Sequence, residues 1–426
     1  MANHFPSVAW SAGATMYEVN IRQYTAEGTF KAFQEHLPRL KNMGITILWF
    51  MPITPISKLV RQGTLGSYYA CSSYTRINEE YGNLQDFKLL VEEAHTLGMK
   101  VIIDWVANHT GWDHHWTTEH KDWYLLDSEN NFTEKNGWHD VIDLNYNNAS
   151  MKMAMIEAMQ YWVNTCNIDG FRCDMAHLVP LDFWHDARTK CDALKPLFWL
   201  AECEEVTYHN VFDVTYAWEW MHVSEKYFKG DASLNDWYNV LHKYTQYPKD
   251  SRKLFFTTNH DENSWNGTEY EKFGDAAKAM AVFTTTWNGM PLVYSGQENP
   301  NLKRLKFFDK DTIEWNDKLL LFDFYKTLLT LHKNNAIVKG ETFILPTQHE
   351  HVMAYLRKCE QDVVLVILNL SGESKLKISL EHDWLKATFT NVFSQLNYGF
   401  QKNESLKYKA TNILYMPQKQ IHKPCI

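Results

Sequence analysis

The sequence predicts a (β/α)8 barrel, interrupted after its third strand and followed by an antiparallel β domain. Three observations predict it. Short, nearly continuous apolar runs recur eight times between residues 14 and 300. Stretches with apolar residues at helical spacing separate most of them. Beyond about residue 338 the pattern changes to strands joined by a tight turn. Near-continuous apolar strands are what a sheet buried on both faces requires, and alternation with amphipathic helices makes that sheet parallel. A doubly wound sheet is the alternative, but no GxGxxG follows any of the strands.

The predicted strands are 14–21, 44–51, 100–106, 168–175, 198–203, 212–218, 254–260 and 290–296. The predicted helices are 30–43, 87–97, 151–163, 181–194, 276–287 and 319–331. In the first, Phe33, Leu37 and Leu40 share a face; in the second, Leu90, Ala94 and Leu97 do. The stretch after Cys203 is too short for a full helix, so one crossover should be irregular. Residues 110–143 (TGWDHHWTTEHKDWY and beyond) are polar, aromatic and His-rich, and read as a long excursion on the C-terminal face. The barrel is therefore expected in 1–109 and 144–338. A β-sandwich is expected in 339–426, built on HVMAYLRKC, DVVLVILNL and KLKISL, with a hairpin turn at Glu360, Gln361 and Asp362.

Composition narrows the function. The 426 residues are 45% apolar and 22% charged, as in ordinary globular proteins. A net charge of −9 lacks the basic footprint of a nucleic-acid partner. The longest apolar run, around 45–53, is about half the ~18 residues of a membrane span. The 17 Trp and 22 Tyr exceed what a core needs and suit amphipathic ligands such as sugars. The seven cysteines are odd in number and show no CxxC pair, against a disulfide framework or a zinc site. The N-terminal MANHFPSVAW has neither a basic nor an apolar leader segment, so a cytoplasmic protein is expected. Oligomeric state is not readable.

In such a barrel the chemistry sits at the C-terminal strand ends. Those ends carry Asp104, Asn108 and His109 (DWVANH), Arg172 and Asp174 (GFRCD), Glu202 (LAE), and His260 and Asp261 (NHDEN). Acidic residues at four strand ends are costly to bury together and so point to a site. Arg172 and Asp174 are two apart and face the same way, so the guanidinium should hold Asp174 ionised, as a nucleophile requires. Glu202, between Ala201 and Cys203, has no cationic sequence neighbour and should keep a proton near neutrality. One ionised and one protonated carboxyl group form the apparatus of glycoside hydrolysis. Asp261 is then placed to bind hydroxyls and balance a developing oxocarbenium charge. The histidines His114, His115, His120 and His139 read as aromatic-loop packing. Cys173 and Cys203 read as outward packing, Trp105 as barrel wall, and Trp265 as a candidate sugar contact.

Here the sequence resembles the α-amylase family of glycoside hydrolases. DWVANH (104–109), GFRCDMAH (170–177), LAE (200–202) and TNHDEN (258–263) match its four sequence regions, and MPLVYSGQE (290–298) resembles its eighth strand. The resemblance implies Asp174 as nucleophile, Glu202 as general acid/base and Asp261 as transition-state stabiliser. It implies sugar contacts from Tyr69, Asp104, His109, Arg172, His177 and His260. It further implies retaining cleavage of α-1,4-glucosidic bonds in starch, glycogen or maltooligosaccharides. A transglycosylase or glucosyltransferase, or an α-glucosidase on short oligosaccharides, would use the same site. A non-catalytic relative need not keep all three carboxylates. Asn108 and Asp143 match calcium-ligand positions, which implies a structural calcium; the alternative is that Asn108 hydrogen-bonds loop backbone. The chain departs from the family at His177 and Leu178, where many members have Lys-His, and at Ser73, where an Asp is common.

Overall fold

A computed structural model describes residues 5–416, except 249, 372, 374–375, 387, 400–405 and 409–411. Eight parallel strands close a barrel: β1 (Met16–Val19), β2 (Ile47–Phe50), β3 (Lys100–Trp105), β4 (Gly170–Cys173), β5 (Phe198–Ala201), β6 (Val214–Tyr216), β7 (Arg252–Phe255) and β8 (Met290–Tyr294). Each pairs with its sequence neighbours and β1 closes on β8, with Met16 opposite Leu292. The predicted strands overlap all eight. The third comes nearest its prediction, one residue short, while β7 begins two residues early and ends before Thr257 to Asp261, which lie in the loop that follows it.

The crossovers follow local signals. Asn83 caps Leu84–Thr96 and shares a capping box with Asp86, which starts this helix three residues before the predicted 87. Asn148 caps Ala149–Cys166. The predicted helix 30–43 is two helices, Phe30–Gln34 and Leu37–Met43. Pro38, at the start of the second, has no N–H to donate, and its ring would collide with the carbonyl four residues back in a continuous helix. After β5 the crossover is irregular as expected, a short 3-10 turn at Val206–Asn210. Two helices the sequence reading did not assign, Trp218–Lys229 and Leu234–Thr245, lie between β6 and β7. Their apolar stripes are aromatic, with Trp220 and Trp237 fully buried.

The excursion after β3 holds a two-stranded ribbon, His109–Gly111 against Val141–Asp143. Its histidines pack on rings: His114 against Tyr74 and Trp116, His120 on Trp123 at 3.9 Å. Trp105 packs on Tyr74 and Phe171. Six of the described strands between residues 341 and 416 form an antiparallel sheet. Its central hairpin pairs Val352–Cys359 with Asp362–Asn369 through Glu360 and Gln361, Glu360 taking a left-handed φ of 53°. Alternate residues serve two cores: Met353, Tyr355, Val364 and Val366 join the barrel core, while Ala354, Leu356, Val363 and Leu365 bury against Ile378 and Phe389. The predicted strand KLKISL is shorter, Leu376–Ile378, and pairs with Leu406–Tyr408 outside the main sheet. The six described cysteines are free thiols, five of them buried; Cys425 lies outside the described residues. Among the described residues, no helix is long and apolar enough to cross a membrane.

Candidate active site

The strand ends bring the predicted residues to one mouth of the barrel, around Arg172. This guanidinium is wholly buried. Its Nη1 donates to Asp104 (3.0 and 3.1 Å) and to Asp174 Oδ1 (2.9 Å), and its Nη2 lies 2.8 Å from Glu202 Oε2. Nε donates to the Tyr216 hydroxyl at 3.1 Å, and the ring of Trp49 lies 5.0 Å away. Glu202 therefore has the cationic neighbour that its sequence surroundings lack. The register of β4 against β5 sets Arg172 beside Leu200, two residues before Glu202, a relation invisible along the chain.

A second expectation also needs correcting. Arg172 does not hold Asp174 below the usual carboxylate range. Burial pushes Asp174 up to about 7, and the nearby Asp104 and Asp261 push the same way against Arg172. Burial likewise raises Glu202 to about 7 and Asp104 to about 6. One guanidinium shared among three carboxylates with little water cannot keep all three ionised. The cluster retains a proton near neutrality, and Asp174 and Glu202 titrate as a linked pair.

The backbone orients Glu202. Met175, directly after Asp174, adopts a left-handed φ of 40°, and its N–H donates to Glu202 Oε2 at 2.9 Å. A non-glycine residue in that region is strained, and here the strain sits between Asp174 and Glu202.

His260 forms the other wall. Burial alone would lower its pKa, but Asp261 and Glu18 on either side outweigh burial and hold the imidazole protonated. It donates from Nε2 to the Tyr69 oxygen at 2.7 Å and pairs through Nδ1 with Glu18. Asp261 Oδ2 lies 3.2 Å from Nε2, and although burial opposes it, His260 keeps this carboxylate below its ordinary range. Tyr69 also donates to Asp104 at 3.1 Å and lies nearly parallel to the His260 ring. His109 is buried and lowered to about 4, hence neutral, with the Trp138 ring 5.5 Å away. A cavity of about 460 Å³, the size of a small-ligand site, lies over Tyr69, His109, Asp174, Glu202, His260 and Asp261.

His177 is not brought in: it is exposed on the turn Ala176–Leu178 and does not line the cavity. Trp265 does line it, half exposed and against Phe307 and Phe308. Sequence reasoning missed Glu18, Met175, Trp49, Tyr216 and the wall residues Trp138 and Phe307. Glu18 left a signal, an acid near the end of the first apolar strand. Met175 follows Asp174 directly within GFRCDMAH, and the rest reach the site only through tertiary register.

Asn108 and Asp143 sit side by side, since the Leu144 N–H donates to the Asn108 carbonyl at 3.1 Å. Asp143 Oδ1 is buried without a hydrogen-bond partner, as a ligand oxygen for a cation would be. Among the described residues, no three His, Cys, Asp or Glu side chains cluster as a cation site. Calcium takes six to eight oxygens, so these two side chains fit one only if backbone carbonyls and water complete the shell.

The closed parallel barrel with this carboxylate cluster defines a barrel enzyme of the glycoside-hydrolase class. A family model described as the α-amylase catalytic domain matches residues 9–319, and the chain belongs to that family. A noncanonic maltogenic α-amylase from Thermotoga neapolitana is 31% identical with a TM-score of 0.85, covering 95% of this chain and 96% of that one. An α-amylase from Lactobacillus plantarum is 27% identical with a TM-score of 0.88, covering 95% and 99%. An α-amylase of Haloarcula japonica is 23% identical over 87% of this chain, which spans 57% of that relative's length.

Proposed function

We propose that the protein is a retaining hydrolase of α-1,4-glucosidic bonds in starch, glycogen or maltooligosaccharides. The observation that carries the reading is the pairing of Asp174 and Glu202 on one buried guanidinium, at the floor of a cavity walled by Tyr69 and His260. Relatives named α-amylase and maltogenic α-amylase support it. A glucosyl ring rests on the Tyr69 face, with hydroxyls toward His109, His260 and Asp261. In the productive form the shared proton is on Glu202. Asp174 attacks the anomeric carbon; the bond to the leaving oxygen breaks and Glu202 protonates that oxygen. Water then gives a proton to Glu202 and displaces Asp174, restoring both groups. Asp104, whose side chain is fully buried and does not line the cavity, acts by positioning Arg172 and Tyr69.

If sugar rather than water takes the glycosyl unit, the enzyme is a transglycosylase. Incubation with maltotriose distinguishes the two. The proposal expects glucose and maltose to accumulate, and products mainly longer than maltotriose would overturn it in favour of transfer.

We also propose a calcium ion on Asn108 and Asp143, fastening the excursion to the barrel. It supplies structure, not chemistry. Millimolar calcium should raise the melting temperature over that in chelator by roughly 2–4 °C, the shift expected in a chain of this length from about 3 kcal/mol of ligand stabilisation at calcium near a hundred times its Kd. Equal melting temperatures would leave Asn108 and Asp143 as loop contacts only.

A further inference from the structure

Three loops distant in sequence are joined at one end of the cavity. They follow β2, come from the excursion, and follow β8. Gln62 Nε2 donates to Asp140 Oδ1 at 3.0 Å, linking the first loop to the second. The Leu65 N–H donates to the Phe308 carbonyl at 2.9 Å, and Thr64 donates to Asp309 Oδ1 from its N–H and hydroxyl at 2.9 and 2.6 Å, linking the first to the third. Buried Arg22 holds the first loop from beneath through the Gly66 carbonyl at 3.1 Å. Gly63 packs so closely that a Cβ there would stand 2.5 Å from that of Phe308, and its φ of 59° disfavours a side chain anyway. The rim is thus continuous and tightly fitted. It stands where Phe307 lies parallel to Tyr69, at 6.2 Å and 16°. Besides Tyr68 and Trp265, the ring of Phe307 contacts Tyr69 and His260, the sugar-platform side. Glu202, by contrast, is held by Met175, two residues from exposed His177.

Asp140 supplies an independent observation. It is 4% exposed and lines the cavity, and its second oxygen, Oδ2, is buried without a hydrogen-bond partner. A buried carboxylate oxygen that accepts nothing is costly, and a donor from a ligand removes that cost. A sugar hydroxyl is such a donor.

We propose that Asp140, held in place by Gln62, accepts a hydroxyl of the terminal non-reducing glucosyl unit, and that the joined loops end the cleft there. The enzyme then acts on chain ends and short maltooligosaccharides rather than in mid-chain. This rests on the α-glucan reading above, and the test separates the two. An aryl maltooligosaccharide is offered with its non-reducing end free or blocked by an acetal. Cleavage of the free form alone is the expected result. Equal cleavage of both overturns the closed end and leaves the α-glucan reading intact. Cleavage of neither overturns that reading and this proposal with it.

Two variants locate the contact. Asp140→Ala should raise KM for maltotriose about tenfold, the worth of one charge-assisted hydrogen bond, with kcat little changed. Gln62→Ala, which leaves the carboxylate but frees it, should raise KM less. A KM unchanged in both variants overturns the assignment of Asp140.

Discussion

Asp174→Ala should lower kcat on maltooligosaccharides by roughly four orders of magnitude or more, because no other group can form the glycosyl-enzyme. The same substitution should make the protein more stable. Burial raises the Asp174 pKa from 3.8 to about 7. Between those values the folded protein holds a proton that the unfolded chain has released, so stability falls as pH rises through this window. Above about 7 the full cost of the buried charge is present. Alanine removes that cost, and Arg172 keeps Asp104 and Glu202 as partners, so no cation is orphaned. At pH 8 the variant's melting temperature should exceed the parent's by about 2–4 °C, the exchange of stability for function expected of a strained site. Thermal melts at pH 5 and pH 8 check this, and the difference should be smaller at pH 5. Residual activity near a tenth of the parent's would mean that Asp174 does not form the covalent bond.

Glu202→Gln should separate substrates by their leaving groups. Glutamine keeps the contacts to Arg172 and Met175 in shape but has no proton to give. An α-glucoside with an acidic phenol needs little protonation to depart, so its first step should survive, while turnover of maltotriose falls by about 10³-fold, within the range of general acid catalysis. Azide should then restore turnover of the phenolic substrate, because a small anion attacks without a general base. Equal losses on both substrates, with no azide effect, would remove Glu202 from the acid/base role and point to Asp261.

The barrel was legible because its strands are buried on both faces and read as apolar runs. The carboxylates were legible because acids at the ends of such runs have few structural uses. What stayed hidden depends on register and loop packing. The ion pair of Arg172 with Glu202 exists because β4 and β5 align Arg172 with Leu200. Pro38 broke a helix whose apolar spacing runs through the break. The helices between β6 and β7 bury their faces with tryptophan and tyrosine, which serve equally as ligand aromatics in sequence. Along the strand Asp174 has one cation beside it, whereas the fold gathers three acids around that cation, which reverses the direction of its pKa. Gln62, Asp140 and Phe307 come from three separate loops, and no spacing in the chain announces their meeting.

The anomeric form of the first product tests the central claim most directly. Two successive displacements at Asp174 invert the anomeric carbon twice, so an α-linkage must yield an α-anomer. Proton NMR of maltotriose digestion, read before mutarotation, should show the α-anomer appearing first and the β-anomer only as equilibrium follows. A β-anomer appearing first would mean that water attacks the bond directly, which contradicts a covalent intermediate on Asp174.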